Sequence, residues 1–464
     1  MKVKFYIGIF IAIFLGAFFA QGMITGFSYA SGFIDIDRSS DIQLGADDDT
    51  YIEISESEEF PEQEEVYYVE PTIIDIPKEG KVILADLEQM RLQTVEDGEV
   101  VEEYEILSKG RADTPWETPP GQYKIMYKTE NHFSSIGGVW MPYSMQFFGN
   151  FFIHGWPYYP GGTPVAEGYS GGCVRMNNTD MEEIYSFSEQ NTPILIRGSQ
   201  VEKKNEIIES GRYDKFSKSY NLPRLSSSAF LVADLNTGEI IASNDRDVEY
   251  PIASLSKLMT ALVSLETINQ YKEAVVTRSA VGTYGKQGGL SYGERIAVGD
   301  LLYPLLLESS NDAAEVIAEH AGRNFFIENM NDKAESIGLY NTHFDDPSGL
   351  SAKNISTAED LFKLTKYIHQ YKNYIFSITK EKEYEIEGHT WFSNSKFRND
   401  EMYRGGKNGY IDAAKHTLIS TFDLPLEEFG KRRVAIIILQ SDDATKDTRS
   451  VLLYLLENIF YSTD

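Results

Sequence analysis

The sequence predicts a multidomain protein in which a mainly-β domain, residues 80–199, precedes an α+β domain, residues 226–464. Three observations carry this. The 464 residues exceed what one ordinary hydrophobic core takes up, and 42% hydrophobic content with 13% aromatics supplies apolar surface for more than one. Between Gly80 and Gly198, apolar and polar residues alternate as in half-buried strands, with turn residues between the runs. From Ser226 onward, stretches of helical spacing lie between strand-like runs, which is the α+β pattern.

In the first domain, residues 81–87 and 91–96 alternate, and Asp97-Gly98 turns the chain into a strand over 99–107. Pro119-Pro120-Gly121 leads into a strand at 122–128, and 145–154 reads as one aromatic strand ending at His154-Gly155. A helix is expected over 177–188, capped by Asn178 or Thr179, with Met181, Ile184 and Tyr185 on one face. Residues 200–225 are charged and patternless, a linker. In the second domain, strands 230–234 and 239–243 flank the turn Asn236-Thr237-Gly238. Ser254 opens an amphipathic helix with Leu258, Ala261, Leu262 and Leu265 on one side. Helices are expected at 298–307, 312–321, 357–371 and 448–461, and strands at 416–422 and 433–440.

The N-terminus sets the compartment. Lys2 and Lys4 precede an uncharged run from Phe5 to about Ala30, so residues 1–30 read as a secretion signal or a membrane anchor. Ser28-Tyr29-Ala30 offers small residues for cleavage, yet the run is long enough to span a bilayer, and a retained anchor is favoured. Either way the remainder works outside the cytoplasm, membrane-anchored or secreted to the cell envelope. Residues 31–79 read as a disordered acidic spacer, with Asp47-Asp48-Asp49 and a later glutamate cluster against Arg38. That run lacks the glycine and ligand spacing of a calcium loop, so neither a metal nor another cofactor is expected. A net charge of −29 excludes nucleic acid as a partner.

Cys173 is the single cysteine. A lone cysteine forms no disulfide within its chain, so it is either apolar filler or a working thiol. Its setting, Ser170-Gly171-Gly172-Cys173-Val174-Arg175, favours the second: two glycines allow a tight turn and Arg175 brings positive charge. A thiol needs a base or a cation to raise its thiolate fraction, and His154, at the end of the aromatic run, is the candidate base.

The pattern of a histidine, a loop of this length and Ser-x-Gly-Cys resembles the catalytic core of the L,D-transpeptidases (YkuD-type), across residues 80–198 and including Thr118-Pro119-Pro120-Gly121-Gln122-Tyr123. The resemblance implies that Cys173 attacks the carbonyl between a diamino acid and the fourth-position D-Ala of a peptidoglycan stem. A thioester forms and a neighbouring stem's amine resolves it. It implies His154 as base with Gly155 orienting the imidazole, and Ser170, Gly172 and Arg175 as substrate-binding positions. Gly171 stands where many members carry histidine.

Ser-x-x-Lys occurs at 254–257, 377–380 and 393–396, so the tetrapeptide alone discriminates nothing. Ser254 stands out by lying at a helix start with Lys257 one turn on, so hydroxyl and amine share a face. Lysine acts as a base only if its pKa falls, which a dry pocket and a second cation would achieve. Lys407 is the expected cation, placed just before a strand. Ser309 and Asn311, ahead of a helix, add a relay hydroxyl and an amide.

In order, Ser254-x-x-Lys257, Ser309-x-Asn311 and Lys407-x-Gly409 resemble the penicillin-recognising serine peptidases, whose fold is the serine β-lactamase/D,D-peptidase type. The surroundings, among them Asp346-Pro347-Ser348-Gly349-Leu350 and Ser393-Asn394-Ser395, resemble the D-alanyl-D-alanine carboxypeptidases. This implies acylation of Ser254, release of D-Ala, and hydrolysis. Lys407, Asn408, Gly409 and Tyr410 are then substrate-binding positions, with the N–H groups of Ser254 and Tyr410 as oxyanion hole. Asn408 replaces the family's usual threonine. The glutamate that class A β-lactamases need for deacylation has no counterpart in the 346–350 segment.

The combined expectation is a two-site enzyme of bacterial cell-wall remodelling. Its partners are peptidoglycan stem peptides, β-lactams are its inhibitors, and the N-terminal segment is its link to the membrane. The alternative expectation keeps one domain active and makes the other a peptidoglycan-binding module.

Overall fold

The computed structural model describes residues 77–462 apart from 113, 199–211, 216–221, 286–287 and 427–429. The expected anchor at 1–30, nearly all of the spacer at 31–79 and most of the linker at 200–225 lie outside the described residues. No helix among the described residues is long and apolar enough to cross a membrane.

The first domain is built from β1 (Lys81–Asp86), β2 (Arg91–Glu96), β3 (Glu99–Glu105), β4 (Gly121–Lys124), β5 (Tyr127–Ser134), β6 (Val139–Phe148), β7 (Phe151–Gly155), β8 (Val174–Met176), helix α1 (Asn178–Phe187) and β9 (Pro193–Arg197). One sheet has the order β3-β2-β1-β9-β4 and the other β5-β6-β7-β8. Asp97 and Gly98 both adopt positive φ, 50° and 82°, the geometry that joins β2 to β3 in a two-residue hairpin.

Three expectations need correction, the first being the single strand at 122–128, which is split between β4, ending at Lys124 in one sheet, and β5, starting at Tyr127 in the other. The aromatic run at 145–154 is two strands, β6 and β7, folded back at Gly149-Asn150. Aromatics on both sides hid the break, whereas Gly149, at φ 49°, supplies the left-handed turn. Asn177, one residue before the expected caps, closes α1 by accepting the Thr179 N–H at 2.9 Å. Helix α1 buries Met181 and Ile184 against Ile153, Val174 and Met176, each side chain stabilising by about 1.5–3 kcal/mol. That packing fixes the ends of β7 and β8, where His154 and Cys173 lie.

The second domain carries β10 (Arg212–Lys215), β11 (Ala229–Asp234), β12 (Ile240–Asn244), β13 (Tyr403–Ile411), β14 (Lys415–Pro425), β15 (Lys431–Ser441) and β16 (Ile459–Ser462). Its main sheet is antiparallel in the order β12-β11-β15-β14-β13, which leaves β13 at an edge. The larger helices are α2 (Ser256–Thr267), α3 (Asn311–Ala321), α4 (Arg323–Ser336), α5 (Ala358–Tyr371), α6 (Tyr374–Lys380) and α7 (Ala444–Asn458). Helix α2 is buried on every side except at Thr267, so the expected amphipathic helix is a core helix.

Other boundaries move for local reasons. Ser254 sits in a 3₁₀ turn, Ala253–Leu255, ahead of α2. The helix expected at 298–307 is α-helical to Tyr303 and then widens to a π-turn at Pro304–Glu308, because proline lacks the N–H that would continue it. The closing helix stops at Asn458. Ile459-Phe460-Tyr461 instead forms β16, paired with β10 inside the expected linker. Lys407 lies within β13, not before it.

The two domains meet through specific bonds. Asn150 Nδ2 donates to Thr267 O at 2.7 Å, Lys372 Nζ to Glu117 O at 3.0 Å, and Lys333 Nζ to Tyr123 Oη at 3.0 Å. A Cβ at Gly121 would lie 2.8 Å from Ser336 O, and one at Gly198 2.6 Å from the Tyr371 ring, so both glycines permit close contact there.

Candidate active sites

In the first domain, β7 and β8 run parallel with Ile153 opposite Val174 and His154 opposite Arg175. This places the histidine at one strand end beside the turn that carries Cys173. Gly172, at φ 108°, has no room for a side chain: a Cβ would approach Phe151 Cε1 to 2.2 Å. Ser170 Oγ donates to Cys173 O at 2.5 Å and accepts from Gly172 N–H at 3.0 Å. Thr118 Oγ1 donates to Gly172 O at 2.8 Å and accepts from Gly110 N–H at 2.9 Å. Thr118, noted in the sequence only as part of a longer motif, thus clamps the cysteine turn.

His154 is buried, with Nδ1 2.6 Å from its neighbour's carbonyl, Gly155 O. A carbonyl only accepts, so Nδ1 carries the proton and Nε2 keeps its lone pair. A Cβ at Gly155 would lie 2.4 Å from Asn178 Oδ1, so glycine is required there too. Burial pushes His154 down to about 4 and the Cys173 thiol up to about 11, with Arg175 only partly offsetting the thiol's rise. Both groups are neutral at pH 7. The Cys173 thiol points to Asn150 O at 3.8 Å. The Arg175 guanidinium packs over Trp156 at 5.7 Å and has a buried Nε without a hydrogen-bond partner among the described residues. Gly171 faces open space. The cleft over Cys173 and His154 has a volume of about 130 Å³.

The second site lies between the 3₁₀ turn at Ser254 and edge strand β13. Ala253 adopts φ 50°, uncommon for a residue with a side chain, and so aims Ser254 into the cleft. Gly349 and Gly409 make this possible. A Cβ on the first would meet Ala253 O at 1.9 Å, and one on the second Ser254 N at 2.7 Å. Lys257, fully buried, donates to Ser254 Oγ at 3.0 Å and Asn311 Oδ1 at 2.8 Å, and also to Ser348 O.

Burial is what brings Lys257 down to about 7. The carboxylates Asp346, Glu315 and Asp312 pull the other way. Lys407 donates to Ser309 Oγ at 2.8 Å and to Asn408 O at 2.7 Å. Ser309 is held at φ 65° by the end of the π-turn, and Ser310 caps α3 by accepting from Ala313 N–H at 3.0 Å. Asn311 Nδ2 donates to Tyr284 O at 2.9 Å, fixing which way its amide faces.

Sequence reasoning missed Ser348. Its carbonyl binds Lys257 because the Asp346 carboxylate gathers the N–H groups of Ser348 and Gly349, at 2.6 and 2.7 Å, into one turn. The aspartate, two residues ahead of a Ser-Gly, was the available signal. Ser393, Asn394 and Ser395 also line the cleft, and Asn394 is pinned to Leu307 O at 3.0 Å. Ser377 and Lys380, by contrast, lie on α6. Asn408, Gly409 and Tyr410 line the same cleft, whose volume is about 960 Å³. No group of three metal-ligating residues occurs among the described residues.

Comparison with known proteins follows the same division. Residues 80–196 match the family of L,D-transpeptidase catalytic domains, and residues 216–441 match the D-alanyl-D-alanine carboxypeptidase family. A D-alanyl-D-alanine endopeptidase of Escherichia coli is 36% identical over 42% of this chain and 67% of its own length. A D-alanyl-D-alanine carboxypeptidase of Mycobacterium tuberculosis is 31% identical over 47% of this chain and 76% of its own. For an endopeptidase of Pseudomonas aeruginosa, 38% identical, the chain spans 49% of the relative. Among solved structures, a carboxypeptidase of Mycobacterium tuberculosis aligns over 51% of this chain and 93% of its own, at 27% identity and a TM-score of 0.47.

Proposed function

The chain belongs to the D-alanyl-D-alanine carboxypeptidase family and carries an L,D-transpeptidase catalytic domain ahead of that region, and from this premise we propose that it remodels peptidoglycan at two sites acting in series. The observation that carries the proposal is the Lys257–Ser254 contact at 3.0 Å, made by a lysine whose pKa falls to about 7. Neutral Lys257 takes the Ser254 proton as Oγ attacks the carbonyl of the D-Ala-D-Ala bond. The N–H groups of Ser254 and Tyr410 receive the oxyanion. Ser309, bonded to Lys407, relays the proton that Lys257 took to the leaving D-Ala amine, which leaves Lys257 neutral again, and water then hydrolyses the ester. Open edge strand β13 lets an extended stem pair alongside it. Lys407 and Asn408 face the substrate carboxylate.

The product, a tetrapeptide stem, is the acyl donor for Cys173. His154 Nε2 takes the thiol proton, Sγ attacks the carbonyl before the terminal D-Ala, and D-Ala departs as the amine. A second stem's amine, or water, then releases the thioester. Arg175, with its unmet Nε donor, suits a stem carboxylate. β-Lactams would acylate Ser254 as substrate mimics. Such work takes place outside the cytoplasm, with residues 1–30 as signal or anchor.

The test is incubation with pentapeptide muropeptides, following D-Ala release and cross-linked dimers by mass spectrometry. Tetrapeptides and then dimers are expected, and persistence of dimers in Ser254→Ala would sink the series. A second reading, with the cysteine domain as a stem-binding module, is favoured by the small 130 Å³ cleft over Cys173. A carbapenem mass adduct on Cys173 decides against it.

A further inference from the structure

The cleft over Cys173 is not made by the first domain alone. Leu265, Glu266, Ile268 and Asn269, at the C-terminal end of α2 and just beyond it, line it together with Trp116, His154 and Arg175. Helix α2 begins beside the serine site, so one core helix reaches from Lys257 to the cleft of the cysteine.

Three features hold this wall in place. The Gly149-Asn150 turn is clamped between the two domains: Asn150 O faces the Cys173 thiol while Asn150 Nδ2 donates to Thr267 O at 2.7 Å. Gly149 leaves no gap, since a Cβ there would come within 2.8 Å of Thr267 Cγ2. Glu266 is tied to Lys333 at 2.8 Å, and Lys333 bonds Tyr123 of the first domain, so the wall and the cysteine domain share one buried network.

We propose that the carboxypeptidase domain supplies a wall of the L,D-transpeptidase cleft, with Ile268 and Asn269 setting the size of the group that reaches Cys173. The wall offers aliphatic surface at Leu265 and Ile268 and one amide at Asn269. Trp116 and Arg175 line the same cleft. This rests on the proposed L,D-transpeptidase reading and deepens it by assigning part of that cleft to residues of the other domain. Ile268 and Asn269 are thus specificity-determining positions contributed from outside the catalytic domain.

The single cysteine makes the test clean, because every thiol adduct reports Cys173. Alkylation rates are measured on the full chain with iodoacetamide and with a bulky fluorescein iodoacetamide, and their ratio is taken. The ratio cancels changes in intrinsic thiol reactivity, which a purely structural perturbation would alter. Ile268→Ala is expected to raise the bulky-to-small ratio, and Asn269→Trp to lower it, each by about tenfold, the usual worth of a shape mismatch in an apolar pocket. The ratio is read on protein that retains the cooperative thermal transition of the unsubstituted chain. Ratios that stay fixed in both variants, or move the same way, overturn the proposal. Alkylation requires no turnover, so the wall is tested even if muropeptide assays show the cysteine domain to be inactive.

Discussion

Lys333 Nζ and Glu266 Oε2 lie 2.8 Å apart with neither side chain exposed, and Tyr123 Oη of the other domain sits 3.0 Å from the same ammonium. Tyr367 closes the cluster, accepting from Lys333 at 2.8 Å and donating to Glu266 Oε1 at 3.1 Å. Glu266→Gln leaves the lysine buried without its counter-charge and should cost about 3–5 kcal/mol in urea unfolding. Tyr123→Phe should cost about 0.5–1.5 kcal/mol, and a double-mutant cycle with Lys333→Met should show coupling across the domain junction. Independent, additive losses would mean that the two domains do not share this network.

The same lysine gives a pH dependence. Burial lowers Lys333 from 10.5 to about 8, so between these values the unfolded chain binds more protons than the folded one. Stability linked to this group therefore rises as pH climbs through that window, and below it the full cost of burying the charge is present. Unfolding at two pH values spanning the window, compared with Lys333→Met, isolates the contribution. A variant with the same pH slope as the parent would contradict it.

Lys257 predicts a different profile. With its pKa at about 7, the rate at which a fluorescent penicillin acylates Ser254 should climb through neutrality and level off above it. Removing the base, as in Lys257→Ala, should slow acylation by about 10²–10⁴-fold. A rate flat across neutrality would assign the proton transfer elsewhere.

Gly171 and Gly172 are neighbours with opposite tolerances. A Cβ at 171 meets nothing within 4 Å, whereas at 172 it meets Phe151 and the backbone is left-handed. Gly171→His, which installs the residue many L,D-transpeptidases carry, should leave stability within about 0.5 kcal/mol. Gly172→Ala should unfold the turn and abolish carbapenem labelling of Cys173. Equal melting temperatures for the two variants would count against this account of the turn.

Much of this was legible in the residues. Asp97-Gly98 forced a hairpin, and the resemblance of the Ser254, Ser309 and Lys407 motifs to those of penicillin-recognising peptidases pointed to residues that hydrogen bonds bring together in one cleft. What stayed hidden needed tertiary contacts. The break at Gly149 was masked by aromatics on both sides, and Ser348 acts through a carbonyl, which no side-chain pattern reports. The depression of the Lys257 pKa was expected from a dry pocket and a second cation, and burial is its largest cause. The part that α2 plays in the cysteine cleft depends on how two domains meet, which local periodicity does not encode.

Cys173 gives the last prediction. Burial holds its pKa near 11, and His154, near 4, is already neutral at pH 7 and has no positive charge to stabilise a thiolate. The thiolate fraction should therefore grow about tenfold per pH unit from neutrality into the alkaline range, and iodoacetamide labelling should follow it without a plateau near neutrality. A preformed thiolate–imidazolium pair would give the opposite result, fast labelling that is flat across neutral pH. Proton transfer to His154 Nε2 must then accompany attack rather than precede it. Binding of a stem carboxylate beside Arg175 changes the surroundings that set these values. Labelling repeated with a tetrapeptide present should shift the profile if the cleft is where that ligand binds, and an unmoved profile would place the ligand outside it.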